Sequence, residues 1–277
     1  MSTLTAPDFD FIRSFVYNRA AIVLEQGKEY LVESRLGPLA QREGFSSLAQ
    51  LIAAIRSDRN VVALQTKAVD ALTTNETYFF RDQHPFDALQ KHVLPQLIAH
   101  RSRDRQLRIW SAACSTGQEP YTLAMIIREH FPELSSWKIE IIATDLSTAV
   151  LERAKTGIFT PLEVSRGLPP LYLNKYFKSQ GDAWHLNPEV KAMVEFRSLN
   201  LVGQWGFMPP LDLVFIRNVM IYFDTETKKA ILKKLRACML PHGALFLGSA
   251  ETTMNLDPAW TASQYGNATV YTIKAAA

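Results

Sequence analysis

From residue 107 onward the chain alternates apolar strand patterns with amphipathic helix patterns, and this alternation constrains the fold more than any other feature of the sequence. Residues 107–113 (LRIWSAA) and 138–145 (KIEIIATD) are typical of buried strands, and apolar residues at helical spacing follow each of them. A later strand is predicted at 211–218 and a helix at 225–239. A loop containing Pro241 and Gly243 is then predicted to open onto another strand, and a last strand is predicted at 269–274. Strands that alternate with helices predict a mostly parallel sheet with helices on both faces.

The rest of the chain departs from this alternation in three places. Residues 1–74 carry helical patterns, the last of them at about 61–72, and predict a small all-α domain. Residues 75–106 are interpreted as a linker and the start of the catalytic domain, which continues over 107–277. Within it, short extended runs around a Ser-Gln-Gly-Asp turn predict a small antiparallel insertion at about 158–193.

Composition excludes several classes of protein. Of the 277 residues, 47% are apolar and 21% charged, as is usual for a soluble globular protein. The two cysteines argue against a disulfide framework and fit a reducing cytoplasm, and the scattered histidines lack metal-ligand spacing. No apolar run reaches the roughly 18 to 20 residues that cross a bilayer, and the start lacks a signal-peptide pattern. A net charge of +3 is too small to indicate nucleic-acid binding.

The turn after the first strand, AACSTGQEP, predicts a ligand site. We expect Ser115 or Thr116 to cap the following helix and Glu119 to lie in its first turn. A turn with one glycine lacks the Gly-X-Gly-X-X-Gly pattern that brings backbone close to a pyrophosphate. A ligand without phosphate would suit the turn, and a ligand with a cationic centre would suit Glu119. S-adenosylmethionine has both properties.

Other candidate ligand residues follow the later strands, where ligands bind in open parallel sheets. Asp145 ends the second strand and is placed to accept hydrogen bonds from ribose hydroxyls, and Asn200 with Leu201 could hold an adenine ring. Each such residue also has a purely structural interpretation, which leaves the alternatives open. Glu119 could favour the helix dipole, Asp145 could cap a helix, and Arg217 could belong to an ion pair.

Six segments together closely resemble the CheR-type chemotaxis receptor methyltransferases over residues 8–274. They read TTNETYFFRD, WSAACSTGQEPYTLAM, IIATDLS, LNL, FIRNVMIYF and LPHGALFLGSAE. The resemblance implies an all-α N-terminal domain followed by an α/β, Rossmann-like methyltransferase domain that carries a small antiparallel β-subdomain. It also implies methyl transfer from S-adenosylmethionine to glutamate side chains of receptors, which yields γ-glutamyl methyl esters and S-adenosylhomocysteine.

The resemblance implies roles for individual residues as well. Arg81 and Tyr222 match the pair assigned to catalysis. The matched cofactor-binding positions are Asn75, Thr77, Arg81, Glu119, Asp145, Asn200, Leu201, Arg217 and Asn218, and no metal is implied.

The expected partner is the cytoplasmic helical bundle of a chemoreceptor. The protein itself is expected to be a cytoplasmic monomer that neither binds nucleic acid nor inserts into membranes. Arg35 and Arg42 lie seven residues apart, two turns along one face if their helix continues through Pro38, and are candidates for contacting that bundle. The short turn at 179–184 predicts that receptor tail peptides are not bound. Two other functions remain open: a methyltransferase with another substrate, and a non-catalytic sensor or scaffold that binds S-adenosylmethionine.

Overall fold

A computed structural model describes residues 4–57 and 62–274 of the chain. Its contacts divide the chain into two compact units. The first unit comprises Met1–Thr74 and Tyr222–Thr227, and the second comprises Asn75–Ile221 and Lys228–Ala277. Residue 61, where the sequence predicts a helix to begin, lies outside the described residues.

The N-terminal part of the first unit is helical, which confirms the predicted all-α domain. Its helices are α1 (Ala6–Ala20), α2 (Glu29–Arg42), α3 (Leu48–Arg56) and α4 (Val62–Leu72). Side chains of Thr5 and Ser47 cap α1 and α3 by accepting backbone hydrogen bonds. Pro38 lies inside α2, and the helix continues through it. Each helix turns a set of apolar residues inward, among them Ile12, Leu36 and Leu51, which are fully buried.

Within the described residues, ten strands form the sheets of the second unit. They are β1 (Gln106–Ala112), β2 (Lys138–Asp145), β3 (Ile158–Phe159), β4 (Phe177–Gln180), β5 (Ala183–Leu186), β6 (Val194–Ser198), β7 (Leu211–Ile216), β8 (Met239–Leu247), β9 (Trp260–Tyr265) and β10 (Ala268–Ile273). The large sheet has the order β6-β2-β1-β7-β8-β10-β9, and its first five strands are parallel. This arrangement confirms the Rossmann-like α/β fold. In this sheet β2 and β6 lie on one side of β1, and β7 and β8 lie on the other. The strand order therefore reverses between β1 and β7, where such sheets bind ligands.

Helical segments connect these strands. They are α5 (His84–Ala88), a π-helical turn (Leu89–Val93), α6 (Leu94–Arg101), α7 (Gln118–His130), α8 (Thr148–Thr156), α9 (Pro161–Ser165), α10 (Pro170–Tyr176), α11 (Pro188–Lys191) and α12 (Thr225–Cys238), with 3₁₀ turns at Pro132–Ser136 and Met220–Tyr222. Fully buried side chains on β1, α7, β7 and β8, including Ile109, Leu123, Phe215 and Phe246, form the core of the unit. None of the helices in the described part of the chain is long and apolar enough to span a membrane.

The predicted antiparallel insertion is confirmed as a three-stranded sheet of order β3-β5-β4. Gly181 and Asp182 alone connect β4 to β5. Gly181 has a φ of +59°, a left-handed conformation that a two-residue hairpin turn requires.

The end of the large sheet differs from the sequence prediction in two places. The sequence predicts a loop at Pro241 and Gly243, but both lie inside β8. Leu211 pairs with Met239 and Leu213 with Ala244, so residues 240–243 bulge and the strand tolerates a proline there. In addition, β9 is not predicted from the sequence, because it is an edge strand that exposes much of its length and therefore lacks a strong apolar pattern.

Candidate active site

The turn between β1 and α7 places three residues in the left-handed region: Ala113, Ser115 and Gly117 have φ values of 55°, 50° and 93°. Gly117 occupies the N-cap position of α7, and no side chain caps that helix, so the predicted cap by Ser115 or Thr116 is wrong. The hydroxyl of Ser115 instead donates to the backbone oxygen of Asn75 at 2.8 Å. A Cβ at Gly117 would lie 3.1 Å from side-chain atoms of α7 and α8, so glycine allows this close approach.

Asp145 is buried at the carboxyl end of β2, beside this turn. One carboxylate oxygen accepts the backbone N–H of Ser115 at 2.8 Å, and the other accepts that of Ser147 at 3.0 Å. Burial raises the pKa of the Asp145 carboxyl, and these backbone donors oppose the rise because they stabilise its charged form. Ser147, and not Asp145, caps α8. The carboxylate therefore links the turn to the next strand and still has acceptor capacity for a ligand.

Glu119 lies in the first turn of α7, as the sequence predicts, with its side chain 13% exposed. One oxygen accepts the hydroxyl of Ser111 at 2.8 Å, and the other accepts a guanidinium nitrogen of Arg217 at 3.1 Å. Burial raises the pKa of the Glu119 carboxyl, although the charge of Arg217 and the hydrogen bonds oppose the rise. This is a buried carboxylate at the end of β1, placed to favour a cation.

Arg217 follows β7 and connects three parts of the second unit. Besides Glu119, its guanidinium donates to the Asp82 carboxylate at 2.8 Å and to the backbone oxygen of Arg81 at 2.9 Å. The side chain is 1% exposed, and its Nε has no hydrogen-bond partner among the described residues. Arg217 therefore holds the segment that carries Arg81 against the end of the sheet, while one buried donor remains for a ligand.

Arg81 itself is half-buried and held by its own segment. Its guanidinium donates to the backbone oxygen of Glu76 at 2.7 Å and lies over the ring of Tyr78, 5.6 Å from the centroid. Arg166 lies over the same ring at 4.3 Å and pairs with the carboxylate of Glu76 at 2.6 Å. Two guanidinium groups thus share one aromatic ring.

Backbone strain is concentrated around these segments. Residues other than glycine with positive φ include Phe80, Asp82, Gln83 and Asn218, in addition to those of the β1–α7 turn. Such conformations cost roughly 1 to 3 kcal/mol each and persist where surrounding contacts hold them. Their location is typical of a functional site.

Asn200 and Leu201 follow β6 and form a loop fixed from two sides. The backbone oxygen of Leu201 accepts the indole N–H of Trp205 at 2.9 Å and the ammonium of Lys234 at 2.9 Å. The side-chain oxygen of Asn200 accepts the backbone N–H of Val202 at 3.1 Å. Ordered backbone beside a buried leucine suits a flat ring, as the sequence predicts, although the ligand contact stays a prediction.

Of the predicted site residues, Tyr222 is the one that belongs to the first unit. Within that unit its backbone oxygen accepts the N–H of Val23 at 2.9 Å. The remaining predicted site residues belong to the second unit; Thr77 is partly exposed there, and its role stays a prediction.

Sequence reasoning missed three side chains that hold the site: Ser111, Asp82 and Glu251. Ser111 is fully buried in β1 and bonds Glu119. Asp82 and Glu251 are the last residues of two of the segments that carry the family resemblance. That position is the feature of the sequence that could have indicated their role in the site. The described residues contain no group of three or more side chains that could hold a metal ion.

Comparison with known proteins gives two family models that match in succession along the chain. The model described as "CheR methyltransferase, all-alpha domain" matches residues 7–73, and "CheR methyltransferase, SAM binding domain" matches residues 75–266.

Curated relatives match over nearly full length. "Chemotaxis protein methyltransferase 1" of Pseudomonas aeruginosa is 42% identical over 271 residues, which cover 96% of this chain and 98% of that one. "Chemotaxis protein methyltransferase Cher2" of Pseudomonas putida is 40% identical with the same coverage. "Chemotaxis protein methyltransferase" of Vibrio parahaemolyticus is 36% identical and covers 99% of this chain and 100% of that one.

Proposed function

The chain belongs to the CheR methyltransferase family, and we propose that it transfers a methyl group from S-adenosylmethionine to glutamate side chains of chemoreceptors. The products are γ-glutamyl methyl esters and S-adenosylhomocysteine. The acceptors lie on the receptors' cytoplasmic helical bundles, so the enzyme acts in the cytoplasm. The relatives' names support a role in chemotaxis, and the matched SAM-binding model supports the methyl donor.

The residues present fit S-adenosylmethionine. Asp145 retains acceptor capacity for ribose hydroxyls, and Glu119 offers a buried negative charge to the cationic methionine end. The unpartnered Nε of Arg217 is a donor in the same part of the unit, suited to a carboxylate. Asn200 and Leu201 would hold the adenine, and Asn75, Thr77 and Asn218 would complete the binding set.

When bound, S-adenosylmethionine supplies a methyl group activated by a sulfonium. A glutamate has a pKa near 4.3, so it is ionised at neutral pH and needs no general base. Catalysis then consists of aligning the carboxylate with the methyl carbon and excluding water from it. The glutamate oxygen would form the new O–CH₃ bond as the S–CH₃ bond breaks with its electron pair left on sulfur, so the carboxylate charge and the sulfonium charge would both be neutralised.

Arg81 and Tyr222 are the proposed catalytic pair. A guanidinium has five N–H donors and can hold a carboxylate with two parallel hydrogen bonds. In the described part of the chain, the Arg81 guanidinium donates one hydrogen bond, to Glu76. We assign the remaining donors to the substrate carboxylate, and the phenol of Tyr222 to orienting that carboxylate or the sulfonium.

The observation that carries this proposal is the hydrogen-bonded connection from Glu119 through Arg217 to the backbone of Arg81. It connects Glu119, a buried carboxylate suited to a cationic ligand, with Arg81, a guanidinium suited to a substrate carboxylate. Those are the two charges that methyl transfer from a sulfonium to a carboxylate requires.

Incubation with methyl-tritiated S-adenosylmethionine and receptor-enriched membranes tests the proposal. Methyl esters release volatile tritiated methanol in alkali, whereas methylated amines and nucleic acids do not. We expect alkali-labile label in receptors. Stable label would indicate another substrate, and binding of S-adenosylmethionine without transfer to any acceptor would indicate a sensor or scaffold.

A further inference from the structure

The carboxylate of Glu251 accepts four backbone hydrogen bonds from two segments of the second unit. One oxygen accepts the N–H groups of Gly248 at 2.6 Å and Asn218 at 2.9 Å. The other accepts those of Val219 at 2.9 Å and Ile221 at 3.2 Å. An ionised carboxylate has about four acceptor positions, so these donors use its full capacity.

The backbone N–H groups of the segment that Glu251 holds have few backbone carbonyls to donate to. It follows the end of β7 and enters a 3₁₀ turn, so its first N–H groups have no preceding helical carbonyl to bond. Asn218 has a φ of +58°, a conformation disfavoured for residues other than glycine. Four hydrogen bonds to one charged group can hold such a backbone in place.

Gly248 makes room for this arrangement. A Cβ on residue 248 would lie 2.7 Å from a carboxylate oxygen of Glu251 and 2.8 Å from the backbone nitrogen of Asn218. Both distances are shorter than Cβ contacts allow, so a side chain here would displace the carboxylate or the segment.

We infer that Glu251 is a positioning residue that fixes the backbone of residues 218–221 and thereby aims the side chain of Asn218 at the cofactor. The inference rests on the proposed function, because Asn218 is a proposed cofactor-binding residue. Glu251 acts through the backbone and does not itself touch ligand.

The substitution Glu251→Gln tests this role with little change in size. The amide keeps one acceptor oxygen but turns an NH₂ group toward two backbone donors, so two of the four hydrogen bonds are lost. We expect faster amide hydrogen exchange at residues 218–221. We also expect the dissociation constant of S-adenosylhomocysteine, measured by calorimetry, to rise about tenfold.

Glu163→Gln is the matched control. Glu163 accepts the backbone N–H of Thr160 at 2.8 Å, closing the N-terminal end of α9, and pairs with Arg153 at 2.6 Å. Its replacement removes a comparable carboxylate from the same unit and lowers the melting temperature. It leaves exchange at residues 218–221 and the affinity for S-adenosylhomocysteine unchanged.

A double-mutant cycle with Asn218→Ala identifies the route of the effect. If Glu251 acts through Asn218, Glu251→Gln weakens S-adenosylhomocysteine binding little further once the Asn218 side chain is removed. Additive losses in the cycle, or wild-type affinity in a folded Glu251→Gln protein, would overturn the inference. Failure of the wild type to bind would overturn the proposed function instead, whereas the exchange rates would still report whether Glu251 fixes the segment.

Discussion

The carboxylate of Asp145 accepts backbone hydrogen bonds from Ser115 and Ser147 at the carboxyl edge of the sheet. We predict that Asp145→Ala weakens both S-adenosylmethionine and S-adenosylhomocysteine, since each has two ribose hydroxyls that lose a charged acceptor. A hydrogen bond to a charged group contributes about 1.5 to 3 kcal/mol, so the dissociation constants should rise tenfold or more. Calorimetry on the folded variant measures this, with the exposed Asp182→Ala as the control. Unchanged affinity would remove Asp145 from the ribose site.

We expect Glu119 to distinguish the methyl donor from its product, because the donor carries a sulfonium charge and the product a neutral thioether. We predict that Glu119→Gln weakens S-adenosylmethionine more than S-adenosylhomocysteine, since only the former loses a full charge interaction. Direct titration of both ligands gives the ratio of the two dissociation constants. Equal losses would show that Glu119 contacts only groups that the two ligands share.

The pH dependence of that ratio follows from the raised pKa of the Glu119 carboxyl, whose main cause is burial. The carboxyl takes up its proton at a higher pH than an ordinary glutamate does. On acidification, the wild-type preference for S-adenosylmethionine should therefore begin to fall at a higher pH than the ordinary pKa of a glutamate would predict, and in Glu119→Gln it should stay constant.

At the scale of helices, Arg35 and Arg42 share a continuous α2 but differ in their contacts. The guanidinium of Arg35 donates to the backbone oxygens of Leu72 at 2.6 Å and Thr73 at 3.2 Å, at the C-terminal end of α4. We predict that Arg35→Ala lowers the free energy of unfolding by about 1 to 3 kcal/mol, because two partly buried backbone carbonyls lose a charged donor.

The exposed Arg42→Ala is the matched variant, and it should change stability by no more than about 0.5 kcal/mol. Urea denaturation measures both. Equal stability of the two variants would contradict the assigned contact. Arg42 is accordingly the better probe of receptor recognition, since its replacement leaves α4 intact.

The short connection of the β4–β5 hairpin bears on whether the protein binds receptor tail peptides. Its connection consists of Gly181 and Asp182, so it offers little surface beyond the strands for a peptide to contact. We predict no measurable heat when a pentapeptide from a receptor's C-terminal tail is titrated into the wild type. Micromolar binding would show that the strands themselves, or another surface, accept the tail.

The elements that could be predicted from sequence are those whose apolar pattern is strong. β2 begins and ends where the sequence predicts, because its buried residues are continuous and Asp145 ends them. β9 and the bulge in β8 were missed because an exposed edge strand has little apolar pattern and a proline usually ends a strand.

Hydrogen-bond partners that are far apart in the sequence could not be predicted for a different reason. The motifs place acidic and basic residues at strand ends, but they do not say which residues pair. Glu251 bonds a segment some thirty residues before it, and Arg217 bonds Glu119 across 98 positions. Only the order of strands in the sheet brings such residues together.

At the scale of the whole molecule, the matches cover both parts of the chain. The all-α model precedes the SAM-binding model, and the compared relatives are matched over 98–100% of their length. The same chain thus combines a helical unit, expected to meet the receptor, with a sheet unit that carries the proposed donor site. We expect methylation of a receptor to require both units.

Mass-spectrometric mapping of methyl esters on a purified receptor cytoplasmic fragment tests this account most directly. The wild-type enzyme with S-adenosylmethionine should esterify specific glutamates of the fragment. Arg81→Ala should do so at least about a hundredfold more slowly while remaining folded, because the substrate carboxylate loses its guanidinium. The exposed Arg103→Ala serves as the control and should match the wild type. Absence of glutamate esters with the wild type, or wild-type rates with Arg81→Ala, would contradict the account.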